Sequence, residues 1–353
     1  MLSPRSPGAE TPPNDALLRC GCNEEVLLDE RSMTHVNLVV ACTQRKRIAP
    51  DLSCHLRSAG GDSIAERARR WIANVDGSIP PTNTAADLYC GDYWFVAMSL
   101  PEAAAKSGVD CNIWIISAGY GLLSADSKVR SYSATFASGQ ADSVTTGLDS
   151  RKKRLHLREW WKAISAWQPH QQPGLRSIEA VAGEYPSSPC LVAVSADYVN
   201  AVQDDLVAAA GVLESTEMLS VITANGTDLY GGLSAHHIAL DARVRHELGG
   251  TRHSLSVRLA RRILENAKEW SLSKTQLQHQ VKLMVDRQPP LDTYNRDPMS
   301  DDEVKSYIRS QLARDPIKKK SPLLRRLRDS GKACEQARFS QLYVAVLEES
   351  RGS

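Results

Sequence analysis

Three short apolar runs in this chain stop abruptly at residues able to do chemistry. Val36–Ala41 gives way to Cys42, Thr43, Gln44, Arg45, Lys46 and Arg47; Ile113–Ile116 to Ser117, Tyr120 and Asp126; and Leu191–Val194 to Ser195, Asp197 and Tyr198. Hydrogen-bonding side chains and cations at the end of a buried strand suit a phosphate, which binds backbone N–H groups and Arg or Lys charge. The first turn lacks both GxGxxG and GxxxxGK[ST], which argues against a dinucleotide fingerprint and a P-loop. Gly119 and Gly121 flank Tyr120, so the backbone can turn sharply and hold a phenol at the sheet edge. An aromatic ring there can stack on a base, a contact worth about 1–3 kcal/mol. Asp126 follows the apolar pair Leu122–Leu123, placed to orient a water, although a plain turn former is the commoner role for such a residue.

These groups meet only if the runs lie side by side. Residues 36–41, 111–117, 190–195 and 218–222 read as short buried strands, alternating with helical stretches near 63–75, 84–105, 151–167 and 197–210. That alternation predicts βαβ units and an α/β fold with a doubly wound, mostly parallel sheet, whose ligands bind at the carboxyl ends of the strands. Residues 127–150 are polar and rich in Ser, Thr and Gly, reading as a long surface excursion. Residues 1–34 read as a flexible lead-in, 35–232 as the base- or nucleotide-binding catalytic domain, and 233–353 as a basic helical, winged-helix-like region.

That last region concentrates cations in two places. Arg245, Arg252, Arg258 and Arg262 surround the Gly249–Gly250 turn and the following helix, whose Leu255, Leu259 and Ile263 form an apolar stripe. Lys318, Lys319, Lys320, Arg325 and Arg326 lead into and ride on a second amphipathic helix. Both clusters are expected to hold the phosphates of double-stranded DNA, independently of sequence and with strong salt dependence. The whole chain carries a net charge of only +2, so this expectation rests on the distribution of charge. Eight cysteines show no CxxC pair, which reads as reduced thiols of a cytoplasmic protein. No His, Asp or Cys grouping has metal-ligand spacing, no cofactor is implied, and no run reaches the ~20 apolar residues of a membrane span. No apolar leader of secretory type opens the sequence, and the oligomeric state is not legible.

ACTQRKR after the first strand, DLYCGDYW in the next helix, and IISAGYGLLSAD with a downstream RSYSATF resemble the bacterial family related to the YaaA-type peroxide-stress proteins. The resemblance covers roughly residues 36–230, and Tyr-Gly-Leu-Leu…Asp…Tyr is its most specific part. It implicates Thr43, Lys46, Asp87, Tyr89, Ser117, Tyr120, Asp126 and Tyr132. That family is similar in fold to uracil-DNA glycosylase and archaeosine-synthesis domains, and the chain also resembles phage-defence glycosylases that excise glucosylated hydroxymethylcytosine. The Gly-x-Asp-Pro-Tyr water-activating motif and a helix-hairpin-helix loop are both absent from the sequence. The resemblance implies a DNA glycosylase acting on a flipped-out, modified base. Asp126, or else Asp87, is then expected as the catalytic carboxylate beside Tyr120. Gln44, Ser117 and Tyr132 are expected to read the base, with Thr43, Arg45, Lys46 and Ser195 lining the site and Tyr89, Tyr120, Tyr132 and Tyr198 stacking. A non-catalytic DNA-binding stress protein and a nucleoside deoxyribosyltransferase-like enzyme are the alternatives.

Overall fold

The computed structural model describes residues 34–77, 81–168, 174–290, 295–315 and 319–351. The expected lead-in up to residue 33 and Lys318 lie outside them. The main sheet has six strands, β1 (Thr34–Ala41), β2 (Val109–Ser117), β3 (Gly121–Ser124), β4 (Cys190–Ala193), β5 (Leu219–Ala224) and β6 (His237–Leu240), in the order β3-β2-β1-β4-β5-β6. All neighbours pair in parallel except β2 with β3, which form an antiparallel hairpin. β1 lies centrally with its residues from Val36 onward buried, which is why it reads as a continuous Val-rich run instead of an alternating one.

Helices cover both faces, as a doubly wound sheet requires. In chain order they are α1 (Ile64–Asp76), α2 (Asp92–Met98), α3 (Leu100–Lys106), α4 (Ser150–Ser165), α5 (Ile178–Glu184), α6 (Ala196–Val212), α7 (Leu255–Glu265) and α8 (Lys274–Asp286). Helices α2, α3 and α7 pack together, while α1, α4, α5 and α6 form a second group. The caps were written locally. Ser63 accepts from the Glu66 N–H at 3.2 Å to open α1, and Ser177 accepts from Ala180 at 3.0 Å to open α5.

The α/β body does not end at residue 232. β6 pairs with β5 in register Val221↔His237, and one continuous core runs from Val36 to Val285. Helix α7, expected to lie in a nucleic-acid-binding region, instead buries Leu255, Val257, Leu259, Ile263 and Leu264 in that core. Each fully buried aliphatic side chain contributes about 1.5–3 kcal/mol. An amphipathic stripe of that width docks on a sheet regardless of what its polar face carries.

A second core belongs to the C-terminal segment. Helices α9 (Asp301–Arg314), α10 (Lys320–Asp329) and α11 (Gln336–Arg351) close around Val304, Ile308, Leu323, Leu327, Phe339 and Val346. A capping box between Ser300 and Glu303 opens α9. Residues Asp297–Pro298 and Lys332–Ala333 pair in parallel, whereas the wing of a winged helix is an antiparallel hairpin. Among the described residues no helix is long and apolar enough to cross a membrane.

Candidate functional site

The chain runs from β1 to β2 on one side and then returns to β4 on the other, so the strand order reverses between β1 and β4. Crevices of doubly wound sheets open at that reversal, beyond the carboxyl ends of the strands. Here Tyr93 of α2 spans the gap: its hydroxyl accepts from the Ala41 N–H and donates to the Ala193 carbonyl, both at 2.8 Å. Burial pushes this phenol well above its ordinary pKa, so it stays a neutral bridge. Just beyond, Cys42 Sγ lies 3.3 Å from the Tyr198 hydroxyl.

Above this floor, three segments converge. Thr43 donates from Oγ1 to the carbonyls of Arg45 (2.9 Å) and Cys90 (3.1 Å), fixing the first turn against the 89–91 segment. Gln44 donates to Gln140 Oε1 at 3.2 Å, and the Ser138 N–H donates to Asp197 Oδ2 at 3.3 Å. The 138–140 loop therefore rims the crevice, touching the end of β1 and the start of α6 at once. Gly139 sits between the two contacts in left-handed backbone, φ +78°, with open space where a Cβ would point. Ser195 is exposed at the N-cap of α6, beside the positive end of the helix dipole. Gln44 and Arg45 are likewise exposed.

The motif residues also come together, but as a packed support. Tyr89 and Tyr132 hydroxyls are 2.8 Å apart, Ser117 Oγ is 2.6 Å from the Tyr132 hydroxyl, and Ser117 also accepts from the N–H groups of Gly119 and Tyr120. A Cβ at Gly119 would lie 2.5 Å from the Tyr132 ring, so only glycine lets the ring close over the turn. The half-buried Lys46 rests its ammonium 4.1 Å from the Tyr132 ring centroid and donates to the Thr43 carbonyl at 3.2 Å. Burial lowers the pKa of that ammonium, only partly countered by Cys42, Cys90 and Asp142.

Several expectations are overturned here. Tyr89, Tyr120, Tyr132 and Tyr198 cannot stack on a base, because their rings are buried against one another, Trp71, Trp94, Trp167 and Phe136. Ser117, fully buried with its oxygen engaged, cannot read a base edge, and nor can the Tyr132 hydroxyl. Tyr120 is no catalytic group: its hydroxyl accepts the Arg130 N–H at 3.1 Å and pins the turn. Asp126 stands away from the strand tips because β3 runs back along β2. Ser124 pairs with Trp114, three residues and about 10 Å short of the Ser117 tip, and Asp126 follows in an exposed turn. Asp87 is an exposed cap partner, with Thr84 donating to its Oδ2 at 2.6 Å and accepting its N–H at 3.1 Å.

The carboxylate at the crevice is Asp197, one of the residues that the third apolar run delivers. Another, Asp142, gave no signal in its polar stretch. Only 4% exposed, it accepts from the Arg57 N–H (3.0 Å), Nε (3.0 Å) and Nη2 (2.8 Å) and from Ser133 Oγ (2.7 Å), with His55 Nδ1 3.1 Å away. Burial alone would raise its pKa, but the Arg57 guanidinium and backbone N–H, with Ser133 and His55, outweigh that and hold the carboxyl far below the usual range. Asp142 thus anchors one end of the rim loop.

The two basic clusters differ. Arg258 pairs with Asp92 at 2.7 Å, Arg262 with Glu247 at 2.5 Å, and Arg261 with Glu265 at 2.8 Å, so the polar face of α7 is largely neutralised and its expected DNA contacts at Arg258 and Arg262 are not supported. Arg245 donates from Nε to the Gly250 carbonyl at 2.9 Å, and Arg252 is exposed in the adjoining turn. On α10, Arg326 turns to Gln311 Oε1 at 3.2 Å. Lys320, Arg325 and Arg328, with Arg296, border a groove of about 370 Å³ floored by Leu324 and Phe339. Lys319 is exposed at its N-cap.

No family model, curated protein or solved structure matches the chain.

Proposed function

We propose that the crevice between the ends of β1 and β4 receives a base extruded from DNA and that the chain hydrolyses its N-glycosidic bond. The observation that carries this reading is the convergence of Thr43, Gln44, Ser195 and Asp197 at the reversal point of the sheet, where ligands of such folds bind. In N-glycosidic cleavage positive charge grows on the sugar, and a nearby carboxylate stabilises it. Asp197 takes that role, with one oxygen already oriented by the Ser138 N–H. The bond from sugar to base nitrogen breaks, a water oxygen bonds the same carbon, and its proton passes through Asp197 to the departing base. Gln44 and Ser195 offer hydrogen bonds to the base edge, which replaces the stacking that the buried tyrosines cannot provide. Lys46 holds the first turn in place by donating to the Thr43 carbonyl at 3.2 Å. A modified cytosine in phage DNA, met in the cytoplasm, is the substrate class that the sequence resemblance favours.

The groove on α10 supplies the grip on duplex DNA: Lys320 and Arg325 border it with Asp329 as the one acid among its described lining residues, whereas Arg258 and Arg262 of α7 are ion-paired. It does so as a plain helical face. The test is incubation of the purified chain with duplexes carrying cytosine, hydroxymethylcytosine or its glucosylated form, scoring abasic sites and free base. Asp197→Asn is expected to abolish release, while Asp126→Asn and Asp87→Asn leave it intact. Absence of base release from every duplex refutes the enzymatic reading.

The second reading, a non-catalytic DNA-binding stress protein, is favoured by one observation: Ser117, Tyr89 and Tyr132, central to the resemblance, form an internally bonded support. It keeps salt-dependent DNA binding and shows no dependence on Asp197. A deoxyribosyltransferase-like enzyme on free nucleotides would be indifferent to charge on α10.

A further inference from the structure

Phe95 stands out from helix α2 with 76% of its surface exposed, whereas Phe136 and Phe339, the chain's other phenylalanines, are buried. The helix does not depend on this ring. Trp94, Val96 and Ala97 dock it on the core, and the Tyr93 hydroxyl bridges β1 and β4. A lone exposed apolar side chain is ordinary on a protein surface. The surroundings of Phe95 are not ordinary.

Side chains on a helix lean toward its N-terminus, over the residues three and four positions earlier. For Phe95 these are Asp92 and Gly91, and the Phe95 N–H donates to the Gly91 carbonyl at 2.9 Å. A Cβ on Gly91 would lie 3.7 Å from Arg45 Cδ, so the Arg45 stem lies over that turn. Asp92 holds Arg258 at 2.7 Å, and the turn carrying the exposed Arg252 packs against α2 as well. Thr43 ties the same place to the crevice rim by donating to the Cys90 carbonyl at 3.1 Å. The ring therefore stands about one helical turn, roughly 5.4 Å, beyond the segment that abuts Gln44 and Arg45. Arg45, Arg47 and Arg252 are exposed and make no ion pair among the described residues. The acids nearby are already engaged, Asp92 by Arg258, Glu102 by Lys106 and Glu247 by Arg262.

A flat ring among unpaired guanidinium groups matches a nucleic-acid strand, whose bases stack while its phosphates meet the cations. A protein partner would call for further apolar area, and the residues under the ring are a glycine, an aspartate and an arginine stem. We propose that Phe95 is a stacking platform for an unpaired base of the strand crossing the mouth of the crevice, with Arg45, Arg47 and Arg252 on the neighbouring phosphates. This deepens the reading of the crevice as a site for a DNA base. It rests on the premise that a strand lies there, and not on any bond being cleaved. Every base has a π-face, so the platform takes any of the four.

Fluorescence anisotropy with the full chain tests this on a labelled single-stranded oligonucleotide and on one of equal length and charge that lacks all its bases. The wild type is expected to bind the base-bearing strand tighter by roughly 5- to 150-fold, the affinity equivalent of one stacked base. Phe95→Ala is expected to lose that preference while keeping its unfolding midpoint and its hold on the base-free strand. Phe95→Tyr, which keeps a ring, is expected to retain the preference. Binding of neither strand, equal binding of both by the wild type, or a preference that survives in Phe95→Ala overturns the proposal. Self-association of the chain that Phe95→Ala abolishes also overturns it, by assigning the ring to a protein contact. Base release is scored apart from this. A Phe95-dependent preference without release from any duplex refutes the glycosylase reading and leaves the platform standing, and release without such a preference does the reverse.

Discussion

Replacing Asp142 by Asn tests whether a buried carboxylate, and not the local sequence, holds the loop that rims the crevice. The substitution keeps volume but removes the charge and turns one acceptor into a donor facing Arg57, Ser133 and His55. Hydrogen bonds to a charged group contribute about 1.5–3 kcal/mol each. The Arg57 side chain is 56% exposed, so its two contacts count for much less, whereas the backbone N–H and Ser133 contacts are more sheltered. The expected loss is about 3 kcal/mol, read as a fall of roughly 6–12 °C in midpoint for an α/β body of this size. The pH dependence supplies a second check. The carboxyl pKa is lower in the folded state than in the unfolded chain, so its contribution is complete above the unfolded value near 4 and is lost as pH falls below it. The gap between wild type and Asp142→Asn, measured by urea unfolding, should hold from pH 7 to 5. It should then shrink by about 1 kcal/mol per pH unit below 4. A gap that stays constant down to pH 3, or that is under about 0.5 kcal/mol at pH 7, refutes the assigned role, since surface changes ordinarily fall within that range.

Gly119→Ala drives a Cβ into the Tyr132 ring, 2.5 Å away, and such overpacking costs about 1–3 kcal/mol. A lower unfolding midpoint and altered near-UV circular dichroism are expected; an unchanged midpoint would mean that the turn relaxes freely. The double reversal Lys320→Glu with Arg325→Glu should lower the slope of log affinity against log salt for duplex DNA by about two, near one per phosphate contact. Arg314→Glu on α9 serves as the charge-matched control for Arg325→Glu alone, and an equal effect there would refute a localised groove.

How much of this was legible in the sequence follows from the range of the forces involved. The strands near 36–41, 111–117, 190–195 and 218–222 and the helices near 63–75, 151–167 and 197–210 were readable because apolar runs and caps are local signals. The stretch read as one helix over 84–105 breaks at Tyr89–Gly91 and at Ser99, and the strand Gly121–Ser124 and the helix Ile178–Glu184 were not read. The rule that ligands lie at strand ends then located Thr43, Gln44, Ser195 and Asp197. The limits of the α/β body were not readable. The stripe on α7 is equally suited to a separate domain or to this sheet, and only the pairing of β6 decided. The antiparallel return of β3 is likewise a tertiary fact, and it alone separates Asp126 from the crevice while leaving Asp197 beside it. Asp142 and Arg57 stand 85 positions apart, and Arg258 and Asp92 stand 166 apart, so neither the anchored rim nor the neutralised helix had any trace in sequence spacing. Residue type set what each side chain was able to do. Folding, by burying some rings and cations and pairing others, decided which of them still face a partner.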